Sequence, residues 1–164
     1  MSNARPQPGW EIAMLLEFTP FQCEYFSEYA SWFTDSELNH RLGPMDQTWL
    51  SAVLTEASSD GATWAVFCAD ELVAVIEIVL DSRNRSIAFI TAIAIKPALR
   101  QQGIGKAVLQ QLLSKNIDQG ITEHIAFISI DNVAGQKCFE KVGFTPVGLE
   151  PDEHGYIEYR HRRG

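Results

Sequence analysis

Apolar positions along the chain change period several times, and each change marks an element. Ala62 to Cys68 and Leu72 to Leu80 are β-rich runs joined only by Ala69-Asp70-Glu71, which predicts an antiparallel hairpin. Asp81 to Arg85 is a polar turn. Ile87 to Ile95 (IAFITAIAI) lacks alternation, which predicts a strand covered on both faces. Lys96-Pro97 ends it. The period then becomes helical: Ile104, Val108 and Leu112 form one ridge beside Leu109 and Leu113, as far as about Asn116. Ile121 to Ile130 reads as a strand, Val133 to Val142 as a helix, and Gly143 as its stop. Phe144 to Leu149 and Tyr156 to Arg160 are two short strands around the turn Glu150 to Gly155.

The first third is less regular. Trp10 to Phe18 is an apolar run read as a strand. Thr19 reads as a helix cap with Pro20 at the first helical position, and Phe21 to Phe33 as an aromatic-rich helix. Leu42-Gly43-Pro44 breaks the chain. Asp46 caps a helix running to about Ala57, with Trp49, Leu50, Val53 and Leu54 at helical spacing, and Ser58 to Gly61 is a turn. The order implies an α/β class with a mixed antiparallel and parallel central sheet of about seven strands and helices on both faces. The strand–helix–strand units of the second half require a parallel pair with a right-handed crossover. No internal repeat appears, so residues 1–164 read as a single domain.

Composition narrows the class. Hydrophobic residues are 46% and charged residues 21%, as in soluble globular domains. No run approaches the ~20 apolar residues of a membrane helix, and no signal peptide is visible. Cys23, Cys68 and Cys138 are widely spaced and read as reduced, mostly buried thiols, so a cytoplasmic protein is expected. No histidine pair has metal-ligand spacing, so no metal is expected. A net charge of −8 argues against a nucleic-acid partner. Residues 1–85 carry 4 basic and 13 acidic side chains, or −9; residues 86–164 carry 9 and 8, or +1. That asymmetry is either a solvated acidic surface or a first half facing a cationic partner while the second tolerates an anionic one.

The chemistry centres on Arg100-Gln101-Gln102-Gly103-Ile104-Gly105-Lys106, where an apolar strand turns into an amphipathic helix. A helix N-terminus has unpaired N–H groups and partial positive charge, and glycines let the backbone approach a phosphate closely. Lys106 lies where the dipole disfavours a cation, a mismatch a bound polyanion offsets. A tight loop needing glycine is the bland alternative. A dinucleotide fingerprint would need a small residue where Val108 stands. A nucleoside-triphosphate loop would need Ser or Thr where Ala107 stands.

The chain here resembles the GNAT superfamily of N-acyltransferases. Its cofactor motif matches Arg100 to Gly105, preceded by Ile93-Ala94-Ile95. A second block matches Ile128-Ser129-Ile130-Asp131-Asn132 and Phe139-Glu140-Lys141-Val142-Gly143-Phe144. The resemblance implies acetyl-CoA as cosubstrate, residues 86–149 as its binding core, and residues 1–85 as mainly the acceptor side. It places the pyrophosphate on the N–H groups of Gln101 to Lys106. The pantetheine would lie along Ile93 and Ile95, where two parallel strands splay, and bond Asn132, which also reads as a helix cap. A bulge in the Ile87–Ile95 strand would polarise the thioester carbonyl. Phe139 lines this block at the position where many members carry a Tyr general acid, so thiolate release needs water, another hydroxyl or no acid at all. Ser129, Tyr156 and Tyr159 are the other hydroxyls.

No acid lies in Ile87–Ile95, but Glu77 interrupts an apolar strand and is the candidate base. Cys138 has no neighbouring base and reads as packing. The expected partner is a small-molecule or peptide amine, cationic, with Trp32, Trp49 and Tyr29 near its site; membrane and nucleic acid are not expected. The C-terminal strands could pair across a homodimer. The alternative function is a CoA-binding module that has lost turnover.

Overall fold

The computed structural model describes residues 15–56 and 59–163. The strands are β1 (Leu16–Pro20), β2 (Gly61–Cys68), β3 (Glu71–Leu80), β4 (Ile87–Ile95), β5 (Glu123–Ser129), β6 (Thr145–Pro146) and β7 (Tyr156–Arg162). The helices are α1 (Phe26–Ser31), α2 (Ser36–Leu42), α3 (Gln47–Thr55), α4 (Ile104–Ile117) and α5 (Val133–Lys141). The seven strands form one sheet in the order β1-β2-β3-β4-β5-β7-β6. Every pairing is antiparallel except β4 with β5.

The hairpin between β2 and β3 turns at Ala69 (φ 49°) and Asp70 (φ 67°), the two positive values that a tight hairpin of matching twist requires. Strand alternation then sends side chains to two cores. Ala74, Ile76 and Ile78 of β3 join Val108, Leu109 and Leu112 of α4 and Phe139 of α5 on one face. Val75 of β3 and Ala94 of β4 join Phe21, Phe26, Tyr29, Trp32, Leu38 and Leu50 on the other. The mixed sheet with helices on both faces follows from this division.

Differences from the sequence reading concentrate in the first third and at strand ends. Thr19 and Pro20 belong to β1, paired with Ala65 and Trp64; Pro20 stands at an end of an edge strand, where a missing N–H costs nothing. The aromatic stretch is a six-residue α-helix flanked by 3-10 turns at Cys23–Tyr25 and Trp32–Thr34. α2 is an additional helix, started by Asp35, whose carboxylate accepts from Leu38 N at 3.0 Å. Asp46 does cap α3, accepting from Thr48 N and Trp49 N. That helix buries Leu50 and leaves Leu54 exposed.

Gly61 is a strand residue rather than part of the turn, while Ser58, Ala57 and residues 10–14 of the first run lie outside the described residues. The Phe144–Leu149 strand shrinks to two residues: Phe144 N is taken by the Phe139 carbonyl at the end of α5, and past Pro146 only Val147 N still donates to β7, to Glu158 O at 2.9 Å. β4 is covered on both faces only in part: Ile90 and Ala94 are buried in opposite cores, but Thr91 is exposed and Ile87, Phe89, Ile93 and Ile95 are half-buried. The thiols are also less buried than expected. Cys23 is exposed and Cys68 and Cys138 are half-buried, all three free.

Candidate functional site

β4 and β5 pair only at Ile87–Glu123, Ala88–His124 and Phe89–Ile125. β4 then runs on to Ile95 and β5 to Ser129 without a further pair between them. The two strands form a fork, and the half-buried apolar residues of β4 lie on its arm. The divergence has a local cause. Glu77 pairs with Ala92 and Ile78 with Ile90, so Thr91 is an extra residue in β4. Such a bulge bends the strand and increases its twist. The expected bulge and the expected splay are both present.

At the end of the β4 arm, a 3-10 turn (Pro97–Leu99) leads into the glycine loop. Gln101 takes φ 62° and Gly103 φ 81°. Gly103 is the N-cap of α4 and, having no side chain, supplies no cap to the first N–H groups of the helix. Gly105 is needed for a different reason: a Cβ there would stand 3.2 Å from Cys138 Sγ, where α4 meets α5. Gln101, Gln102 and Lys106 are exposed, and Ile104 is buried. The Arg100 guanidinium is held by Asp35, Nη1 to Oδ1 at 3.1 Å and Nη2 to Oδ2 at 2.6 Å. That pair holds the Asp35 carboxyl below the usual range, helped by the Leu38 amide.

On the β5 arm, Asn132 caps α5 by accepting from Gly135 N at 3.0 Å. Gln136 donates to the carbonyls of Ser129 and Ile130 at 3.1 and 3.0 Å. Phe139 is 5% exposed and packs edge-on against Phe144 at 4.9 Å. The candidate hydroxyls are committed elsewhere: Ser129 donates to Asp131 at 2.6 Å and Tyr159 to Glu140 at 3.0 Å. Tyr156 is exposed. Burial pushes the Cys138 thiol up, opposed by Lys141 and Lys106, which suits packing rather than nucleophilic attack.

Glu77 stands on the face of β3 covered by the helical layer of α1, α2 and α3, opposite the bulge. It accepts from Trp49 Nε1 at 3.4 Å. Burial raises its pKa, the Trp49 hydrogen bond lowers it, and Glu56 raises it further. Tyr29 sits beside it, its hydroxyl pushed up by burial and by Glu77. The proposed aromatic site is revised by this arrangement. Tyr29 and Trp32 are 1% and 4% exposed and are core residues, while Trp49 is half-buried and reaches the carboxylate. Sequence reasoning missed Phe89 and Phe127, which stack at 6.4 Å where the fork begins, with Phe127 half-exposed. An apolar residue in a β run carries no signal that distinguishes it. It also missed Asp35, Arg41 and Asp131, although Asp35 three residues before Leu38 was a legible cap.

Beside the loop, an open depression of about 370 Å³ is lined by Trp32, Asp35, Lys96 and Pro97 among others. Among the described residues, no group of three or more His, Cys, Asp or Glu could hold a metal ion. No described helix is long and apolar enough to cross a membrane.

A sequence model of the acetyltransferase (GNAT) family matches residues 20–144. The chain belongs to the GNAT family. Within it, the chain is 36% identical over 63 residues to an uncharacterized N-acetyltransferase, YfmK, of Bacillus subtilis (strain 168). That match spans 38% of this chain and 43% of the relative. GNAT structures share the fold at low identity. One is a Salmonella typhimurium acetyltransferase described as modifying the N-terminal serine of ribosomal protein L7/L12: TM-score 0.78, 16% identity, 93% of this chain and 98% of that one. Another is the Vibrio cholerae spermidine N-acetyltransferase with CoA and spermine: TM-score 0.74, 12% identity, 90% and 94% covered.

Proposed function

We propose that the chain transfers an acetyl group from acetyl-CoA to a primary amine by direct attack in a ternary complex. The observation that carries this reading is the fork, which opens at the Thr91 bulge and has the glycine loop at the end of one arm. The loop suits a pyrophosphate because its helix begins on a glycine without a capping side chain, leaving N–H groups for an anion. Ile93 and Ile95 offer a half-buried apolar strand for the pantetheine arm. Asn132 would hold that arm while capping α5, since its amide NH2 is not used by the cap.

Glu77 would take a proton from the acceptor ammonium, directly or through water, before the nitrogen attacks the thioester carbonyl. Its burial beside Trp49 and Tyr29 makes it a stronger base than an exposed carboxylate. The new C–N bond forms as the C–S bond breaks, the sulfur leaves as a thiolate, and the second proton of the nitrogen passes to water or to that thiolate. A thiol near the ~8.5 of a free cysteine needs little acid help, so buried Phe139 does not forbid the step. A cationic acceptor is favoured by the −9 charge of residues 1–85 and by Glu56 beside Glu77. Polyamines, aminoglycoside-like amines, lysine side chains and protein N-termini all fit that description.

A second reading is a module that binds CoA without turnover, favoured by Phe139 lying in the core with no acid in its place. Thiol release from acetyl-CoA across a panel of amines separates the two. Release well above hydrolysis with one amine class supports transfer; tight CoA binding with no release supports the module.

A further inference from the structure

Past Phe89–Ile125 the fork arms share no strand pairing, so the sheet does not set how far apart they stand. α2 is tied to the segments that follow both arms. Its N-cap, Asp35, holds Arg100 beyond the β4 arm by the two hydrogen bonds given above. Six residues on, Arg41 Nη1 donates to Asp131 Oδ1 beyond the β5 arm at 2.7 Å. Both ends are themselves braced. Arg41 Nε donates to Glu37 at 2.9 Å, Asp131 accepts from Ser129, and Asp35 also accepts from Leu38 N. Leu38, in the middle, is buried in the helical-layer core.

Six residues of helix span about 9 Å, and a hydrogen-bonded helix does not stretch, so one rigid element joins the far ends of both arms. We propose that α2 is a clasp whose two ion pairs fix how far apart the arms stand and so keep open the space for the pantetheine arm. Arg41 and Asp35 are then positioning residues for acetyl-CoA, acting through Asp131–Asn132 and through the Arg100 loop. Holding the arms apart before binding lowers the ordering cost of binding. The clasp also explains why an acceptor-side helix carries its charged residues toward the other half of the molecule.

This inference rests on the reading that CoA occupies the fork. The test is calorimetric titration of the whole protein with CoA, which needs no acceptor. Arg41→Ala and Asp131→Asn are each expected to weaken CoA about fivefold, the scale of a well-formed ion pair. Melting temperature should hardly move, because partly exposed pairs contribute little to stability. The exchanged pair Arg41→Asp with Asp131→Arg should recover most of the affinity. Asp35→Asn, which keeps a capping side chain, should weaken CoA without unwinding α2. Unchanged affinity in Arg41→Ala overturns the clasp, and so does a loss that the exchanged pair fails to restore. A wild-type protein that binds no CoA would instead overturn the fork reading itself.

Discussion

The two halves of the proposed site, the cofactor loop and the acceptor side, use different means. On the loop side the working groups are backbone: a bulge at Thr91, positive φ at Gln101 and Gly103, and a helix N-terminus without a side-chain cap. On the helical-layer side they are side chains brought from far apart: Glu77 from β3, Trp49 from α3, Tyr29 from α1 and Glu56. Backbone geometry of the first kind needs particular residues at fixed spacing, and it leaves a motif. Side-chain constellations of the second kind can be assembled from many sequences, and they leave none.

The largest effect should come from the side-chain half. Glu77→Gln is expected to lower turnover with a competent amine about a hundredfold or more, the usual range for a general base. The KM for acetyl-CoA should hold. An unchanged pH–rate profile in this variant would remove Glu77 from the mechanism. The same substitution should stabilise the fold at neutral pH. A carboxyl whose folded pKa is raised destabilises the charged form, so stability falls as pH rises through that range.

A second test concerns the closed base of the fork, where β5 pairs with β4. His124 is 2% exposed, 2.9 Å from Asn116 Nδ2, and pushed down to about 4 by burial and by His161. Its folded form stays neutral while the unfolded chain takes up a proton below about 6.5. The resulting stability is fully present above about pH 6.5 and is lost as pH falls toward about 4, by about 3 kcal/mol in all. Urea melts between pH 7 and 4 should show that slope, and His124→Asn should flatten it.

Smaller effects separate the halves further. Gly103→Ala puts a Cβ on a residue at φ 81° with no atom within 4 Å. An alanine loop should relax from that conformation when free, so restoring it on binding costs about 1 kcal/mol, which weakens CoA severalfold and leaves the pH profile alone. Trp49→Phe should do the reverse. Removing the N–H that lowers the Glu77 pKa should move the acidic limb of the pH–rate profile to higher pH, with CoA binding intact. A shift in CoA affinity rather than in that limb would break the distinction between the two sides.

Residues 61–143 were legible because their elements are long and bounded by clear turns: the hairpin of β2 and β3, the parallel pair around α4, and Gly143 after α5. Periodicity failed around Thr19–Pro20, where a strand end with proline mimics a helix start, and across residues 36–42, where a seven-residue helix is too short to show a period. Phe144 to Leu149 misled for a different reason, since apolar content suggested a strand whose first residue instead bonds back to the end of α5.

The amino-acid order thus determined the loop, its glycines, the caps at Asp46 and Asn132, and the oddity of an acid within β3, because each depends on local geometry or local polarity. Only the folded chain decided that Phe139, Tyr29 and Trp32 are core, that Trp49 bonds Glu77, and that Arg41 meets Asp131 ninety residues away. Those outcomes depend on which side chains the sheet and its two helical layers bring within a few ångströms, and no local pattern encodes that distance.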